Sequence, residues 1–186
     1  MKTDYMLEQE VQLILRLLTP QNRLIMRVAL ATGLRISDVL ELRPWQIKSH
    51  FWVTEKKTGK RRQVGLPEPL LSDVKKRMGR EWVFPGRKPG KHKTRQAVWK
   101  DVKRAADAYR LEQNIAPHSA RKVYAVQLLE KYGDINRVKR ALNHSGLAVT
   151  MVYAMADKEL EAKQRERNRR RNREQVRRLM YGKPLK

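Results

Sequence analysis

Apolar residues recur at helical spacing from the start of the chain, with Val11, Leu13, Ile14, Leu17 and Leu18 on one face. Thr19-Pro20 supplies an N-cap and a first-turn proline for a second helix through Leu24, Ile25, Val28 and Leu30. Gly33 suits its end, because a left-handed residue there is cheapest as glycine. Ser37 can cap a third, short helix from Asp38 to Leu42, with Asp38 near its positive end. A hairpin follows. Phe51-Trp52-Val53-Thr54 favours a strand, Lys57-Thr58-Gly59-Lys60 a turn, and Arg62 to Leu66 a return strand.

Pro67 to Met78 reads as helical again, and Trp82-Val83-Phe84 as a short strand or loop anchor. Residues 85–93 hold two prolines, two glycines and four basic side chains, the composition of an exposed loop. Thr94 opens a basic helix to about Leu111, and Pro117-His118-Ser119 opens another that reaches Lys131. Shorter helices are predicted over Ile135 to Leu142 and Val149 to Met155. Between Lys163 and Gln175 no large apolar residue occurs, so that stretch is a free helix, a disordered arm or a segment docked on a partner. The fold class is mainly α with a small antiparallel β-hairpin (α+β), in one domain of ordinary size. Trp45, Trp52, Trp82 and Trp99 are expected as core or hairpin anchors.

Charge changes the picture. The 186 residues carry a net +24, with 43 Lys+Arg against 19 Asp+Glu, which makes a polyanion the default partner. No apolar run approaches the roughly 20 residues of a membrane span, and Met1 to Tyr5 lack the apolar block of a signal peptide. The expectation is a cytoplasmic, nucleic-acid-associated protein with no membrane partner. Cysteine is absent, which excludes disulfides and thiolate chemistry. His50, His92, His118 and His144 have no zinc spacing, and no P-loop or acidic metal cluster is visible, so neither metal nor cofactor is expected. Residues 158–186 hold 12 Lys+Arg and 4 Asp+Glu, a net of +8, which leaves +16 for the preceding body. Basicity is therefore a property of both parts.

Several residues could carry chemistry on a phosphodiester, though each has a plainer role. Tyr153, like Tyr5, Tyr109, Tyr124, Tyr132 and Tyr181, is by default a core residue with its hydroxyl at the rim. Arginines on helices are usually solvated. Order and spacing raise them above that. Ala31-Thr32-Gly33-Leu34-Arg35-Ile36-Ser37-Asp38, Lys57-Thr58-Gly59-Lys60, His118-Ser119-Ala120-Arg121 and Leu142-Asn143-His144 through Thr150-Met151-Val152-Tyr153 follow one another along residues 31–153. Together they resemble the first-arginine box, lysine hairpin, histidine-x-x-arginine box and tyrosine-bearing ending of the tyrosine recombinases, the phage integrase family. Four positions depart from the family pattern: Asn143 for glycine, Ala120 for leucine, Lys122 for histidine and Gly65 for proline. None removes a residue with an expected catalytic role.

The resemblance implies metal- and ATP-independent DNA strand transfer. Arg35 and Arg121 would clamp the scissile phosphate, since a guanidinium fork is always charged and donates in pairs. Tyr153 would be the nucleophile, His118 its base, and Lys57 the general acid, with Lys60 as the rival lysine. His144 would bond a non-bridging oxygen, and Asp38 would orient neighbouring cations. His118 and Arg121, three apart near a helix start, are expected to share a phosphate. Arg95, Lys100, Lys103 and Arg104 on the basic helix are candidate DNA contacts, with a merely solvated face the equal alternative.

By the same resemblance, residues 1–157 form the catalytic domain and 158–186 a basic tail, without the N-terminal core-binding domain of larger members. Arg169, Arg170 and Arg171 in that tail would contact DNA, or the tail would dock on a neighbouring protomer of a tetramer on double-stranded DNA. Accessory DNA-bending proteins are compatible partners. The rival functions are topoisomerase IB-like nicking and rejoining, and a catalytically silent DNA-binding regulator. RNA binding is disfavoured by the lack of an aromatic stacking array.

Overall fold

The computed structural model describes residues 3–142, 168–178, 180 and 182. Its elements are α1 (Glu8–Leu17), α2 (Pro20–Thr32), α3 (Ile36–Leu40), a 3-10 turn (Pro44–Gln46), β1 (His50–Thr54), β2 (Arg61–Gly65), α4 (Glu68–Arg77), α5 (Arg95–Ala108), α6 (Ser119–Tyr132) and α7 (Ile135–Ala141). Helix α2 is the hub and packs against α1, α3, α4, α6 and β2. Its Ile25, Val28 and Ala29 are fully buried with Val39, Leu40, Val74, Val98 and Ala120 in one core. A smaller cluster of Ala125, Val138 and Leu142 joins α6 to α7. The helical class with one hairpin is as expected.

The hairpin is antiparallel, with Phe51 opposite Val64 and Val53 opposite Arg62. Alternation turns Phe51, Val53, Arg62 and Val64 inward and Trp52, Arg61 and Gln63 outward. This corrects the expectation for the tryptophans. Trp52 is 53% exposed and Trp45 70%, and Trp99 is exposed as well. Trp82 alone behaves as an anchor: its Nε1 donates to the Gly90 carbonyl at 3.1 Å, and the Arg43 guanidinium lies 3.2 Å over its ring.

Two cap expectations also change. Ser37 lies inside α3, whose N-cap is Arg35. Thr19 precedes α2 as expected, but its hydroxyl donates to Asp101 at 2.9 Å instead of capping the helix. Asp101 also accepts from the Thr19 backbone N–H, Asn22 and Arg104. Burial would raise its pKa, but these donors overturn that and hold it down to about 2. At α5 the expected cap holds, with Thr94 Oγ1 accepting from the Ala97 N–H at 3.1 Å. Residues 168–178 are helical and exposed along their length. The predicted helix over Val149 to Met155 lies outside the described residues.

Candidate active site

Gly33 sets the first piece. It ends α2 with φ 61°, and a Cβ there would lie 2.2 Å from Tyr124 Cδ1. Both the left-handed backbone and the ring of α6 therefore require glycine. The chain reverses, buries Leu34 and delivers Arg35 to the N-cap of α3.

The hairpin brings the second piece, one that sequence reasoning missed. Continuing the inward alternation of Phe51 and Val53, Glu55 is completely buried. Its Oε2 accepts from Arg35 Nη1 at 2.5 Å and from Thr58 Oγ1 at 3.0 Å. Its Oε1 lies 3.3 Å from Arg62 Nε and 3.6 Å from Arg121 Nη1. Three guanidinium groups thus converge on one carboxylate. Burial alone would raise the Glu55 pKa. The Arg35 hydrogen bond and the charges of Arg121, Arg35 and Arg62 outweigh that and hold it below the usual glutamate value.

Helix α6 contributes Arg121, 1% exposed, which donates to the carbonyls of Gly33 and Leu142 at 2.6 Å each. Arg62 was also missed. It donates to the Thr32 carbonyl at 3.0 Å and to the Ala141 carbonyl. The two interior arginines therefore tie the ends of α2 and α7 together, directly ahead of His144 in sequence. The signal for Glu55 and Arg62 was the period of two, which puts both on the apolar face of the hairpin.

His118 and Arg121 differ in access, since His118 is exposed at the N-cap of α6 while Arg121 is interior. Partial burial of the ring, then the charges of Arg121, Lys122, Arg35 and Lys57, push the His118 pKa down to about 4. The imidazole is neutral at pH 7. Lys57 and Lys60 are both exposed on the turn. Asp38 is buried, and its Oδ1 accepts the Lys56 backbone N–H at 3.1 Å. It therefore steadies the turn through the main chain, and the charges of Arg35 and Arg121, the cations it was expected to orient, lie close enough to act on it. Burial, reinforced by the Glu55 charge, raises its pKa. Lys122, at a departure from the family pattern, is drawn away to the Thr3 carbonyl. His144 and Tyr153 lie outside the described residues.

Residues 4–159 match the phage integrase family. The chain belongs to that family. It is 38% identical over 140 residues to a Sinorhizobium fredii protein named as an integrase/recombinase, covering 72% of this chain and 46% of that one. It is 28% identical over 159 residues to the tyrosine recombinase XerA of Pyrococcus furiosus, covering 78% and 55% respectively. The chain thus spans about half the length of these curated relatives. Among solved structures, the XerA recombinase superposes with a TM-score of 0.70 at 18% identity, over 87% of this chain and 65% of that one. A lambda integrase dimer bound to a COC' core site gives 0.70 at 20% identity, over 83% and 48%. At such identities the likeness establishes the phage integrase catalytic-domain fold and nothing finer.

Within this integrase fold the four candidates on α5 divide. Arg95 and Lys100 are exposed. Lys103 donates to Asn114 at 2.6 Å, and Arg104 is held by Asp101 and the Leu17 carbonyl. Structural partners thus already engage two of the four. Arg169, Arg170 and Arg171 are exposed on the 168–178 helix. Among the described residues no helix is long and apolar enough to cross a membrane.

Proposed function

We propose that this integrase-family chain cuts and rejoins double-stranded DNA at specific sites through a 3′-phosphotyrosyl intermediate on Tyr153. One observation carries the reading: Arg35 and Arg121, far apart in sequence, meet at Glu55 directly behind the turn that bears Lys57. Two guanidiniums beside an exposed lysine and a neutral imidazole supply what a metal-free phosphoryl transfer needs. The transition state spreads negative charge over the phosphate oxygens, and fixed cations stabilise it.

The Tyr153 oxygen attacks phosphorus, the P–O5′ bond breaks, and the 5′-oxygen leaves with a proton from Lys57. His118 takes the tyrosine proton, which a neutral ring accepts and a protonated one cannot. Its depressed pKa belongs to the DNA-free protein; a phosphate placed among the same cations offsets their field and makes the ring more basic. Lys57 directly precedes Thr58, whose hydroxyl shares the Glu55 carboxylate with Arg35, which favours Lys57 over Lys60 as the acid. The phosphotyrosyl bond retains the energy of the broken one, so religation needs no ATP.

Residues 1–157 would act as the catalytic domain, with 158–186 as a basic tail that contacts DNA or a neighbouring protomer of a tetramer. The test uses a nicked suicide duplex whose sequence is first selected by binding from random DNA. A covalent protein–DNA adduct is expected, and it should vanish in Tyr153→Phe. An adduct that survives that change would remove Tyr153 as the nucleophile. No adduct with wild-type protein would favour a silent DNA-binding relative.

A further inference from the structure

We infer that Glu55 is a positioning residue that holds the Lys57 turn and the two-arginine clamp in fixed register. The inference rests on the strand-transfer reading above and gives a role to the carboxylate at which that reading's two arginines meet. Glu55 is enclosed and bears the same sign of charge as a phosphate, so it acts through its neighbours.

Its two oxygens divide the work. Oε2 is shared between Arg35 at 2.5 Å and the hydroxyl of Thr58 at 3.0 Å, so one atom joins half the clamp to the residue that follows Lys57. Oε1 faces Arg62 and Arg121, which reaches the other half. The main chain of the same residue closes the turn. Its N–H donates to the Lys60 carbonyl at 3.0 Å, and its carbonyl accepts from Gly59 at 2.8 Å. Lys57 therefore sits inside a loop whose base and side both end on Glu55. The same carboxylate offsets the mutual repulsion of three guanidiniums, so their spacing depends on it. Any shift of Arg35 is transmitted to the turn through one oxygen atom. The general acid must reach the leaving 5′-oxygen while the clamp holds the non-bridging oxygens of the same phosphate, and misplacement by about 1 Å can cost about 10²-fold in rate.

The experiment compares single-turnover adduct formation on two suicide duplexes, one with the natural 5′-bridging oxygen and one with 5′-bridging sulfur. A thiolate leaves without a proton and so bypasses the acid. Lys57→Ala is expected to be slow on oxygen, by about 10²-fold or more, and restored on sulfur. Glu55→Gln should fall about 10²-fold on oxygen and recover only partly on sulfur, with DNA affinity unchanged. Thr58→Val removes the side-chain link to the turn, together with the Thr58 hydroxyl's bond to the Lys60 N–H, and leaves the clamp contacts of Glu55 in place; it should lose less on oxygen and recover fully on sulfur. Full recovery of Glu55→Gln would confine Glu55 to the turn, and equal loss on both substrates would confine it to the clamp. Either result overturns the coupling, as would a loss that merely tracks DNA affinity or the unfolded fraction.

If wild-type protein forms no adduct, the strand-transfer reading fails. The coupling is then judged by NMR of the free protein. Glu55→Gln should move both the Arg35 Nε–H and the Lys57 amide signals, and Thr58→Val should move the Arg35 Nε–H across the shared oxygen. Stationary Arg35 signals in Thr58→Val would overturn it.

Discussion

Arginine is used in two opposite ways in this molecule. Arg62 and Arg121 are interior, and they have exchanged water for main-chain carbonyls and a shared carboxylate. Arg169, Arg170 and Arg171 lie on an exposed helix in a stretch without a large apolar residue. Formal charge is identical in the two places, but the surroundings decide what it does. An interior guanidinium without its partners would leave buried acceptors and a buried anion unpaired, so it holds the fold as well as the site. A solvated one gives the fold almost nothing, and stays available for phosphates whose counterions it can displace. The +24 of the sequence therefore mixes structural charge with charge available to a ligand.

The sharpest way to break this contrast is to remove an interior arginine. Arg121→Ala or Arg62→Ala should lower unfolding stability by about 3–5 kcal/mol in urea titrations, because each deprives main-chain carbonyls of a donor and Glu55 of a neighbouring cation. A loss below about 1 kcal/mol would mean the interior arginines resemble the outer ones. Next in size, Gly33→Ala should cost about 2 kcal/mol or more, through its positive φ and the Tyr124 ring. The change should also weaken DNA cleavage, since the Gly33 carbonyl seats Arg121.

Replacing Arg169, Arg170 and Arg171 together with alanine should leave stability within about 0.5 kcal/mol. Its effect should appear in DNA binding, where the slope of log K against log salt falls by about one per lost phosphate contact. An unchanged slope would assign that helix to protein docking.

A last effect concerns pH. His118 has an ordinary pKa of 6.5 when unfolded and about 4 when folded, so between those values the unfolded chain binds the extra proton. Stability should therefore fall as pH drops from 6.5 toward 4, and His118→Asn should flatten that part of the profile. A steeper profile in the variant would contradict the depressed pKa.

Much of this was legible because it is local. The helix breaks at Pro20 and Gly33, the cap at Thr94 and the hairpin turn depend on residues within a few positions of one another. The candidate boxes were legible as spacing, and the fold brings Arg35, Lys57, His118 and Arg121 into one neighbourhood. Glu55 was not read because Thr54-Glu55-Lys56-Lys57 looks like a solvated turn. Only the approach of residues 35, 62 and 121 turns its carboxylate into a hub. Ser37 failed as a cap, and Thr19 holds the N-cap position without a side-chain capping bond, for a related reason: a short polar side chain suits many partners, and Asp101, distant in sequence, won Thr19. The tryptophans went wrong when size was weighed above alternation, which puts Trp52 outward.

The grip of Arg121 on Leu142 also sets a length. Ten residues separate Leu142 from Tyr153, eleven Cα-to-Cα steps with a contour of at most about 40 Å. The proposed nucleophile is thus tethered at a fixed origin, and that origin is held by one of the arginines proposed to clamp its target. A substitution of Arg121 would move the mooring as well as the grip. Its effect on cleavage would combine lost charge with a displaced reach, and only a cut in the tether itself could tell the two apart.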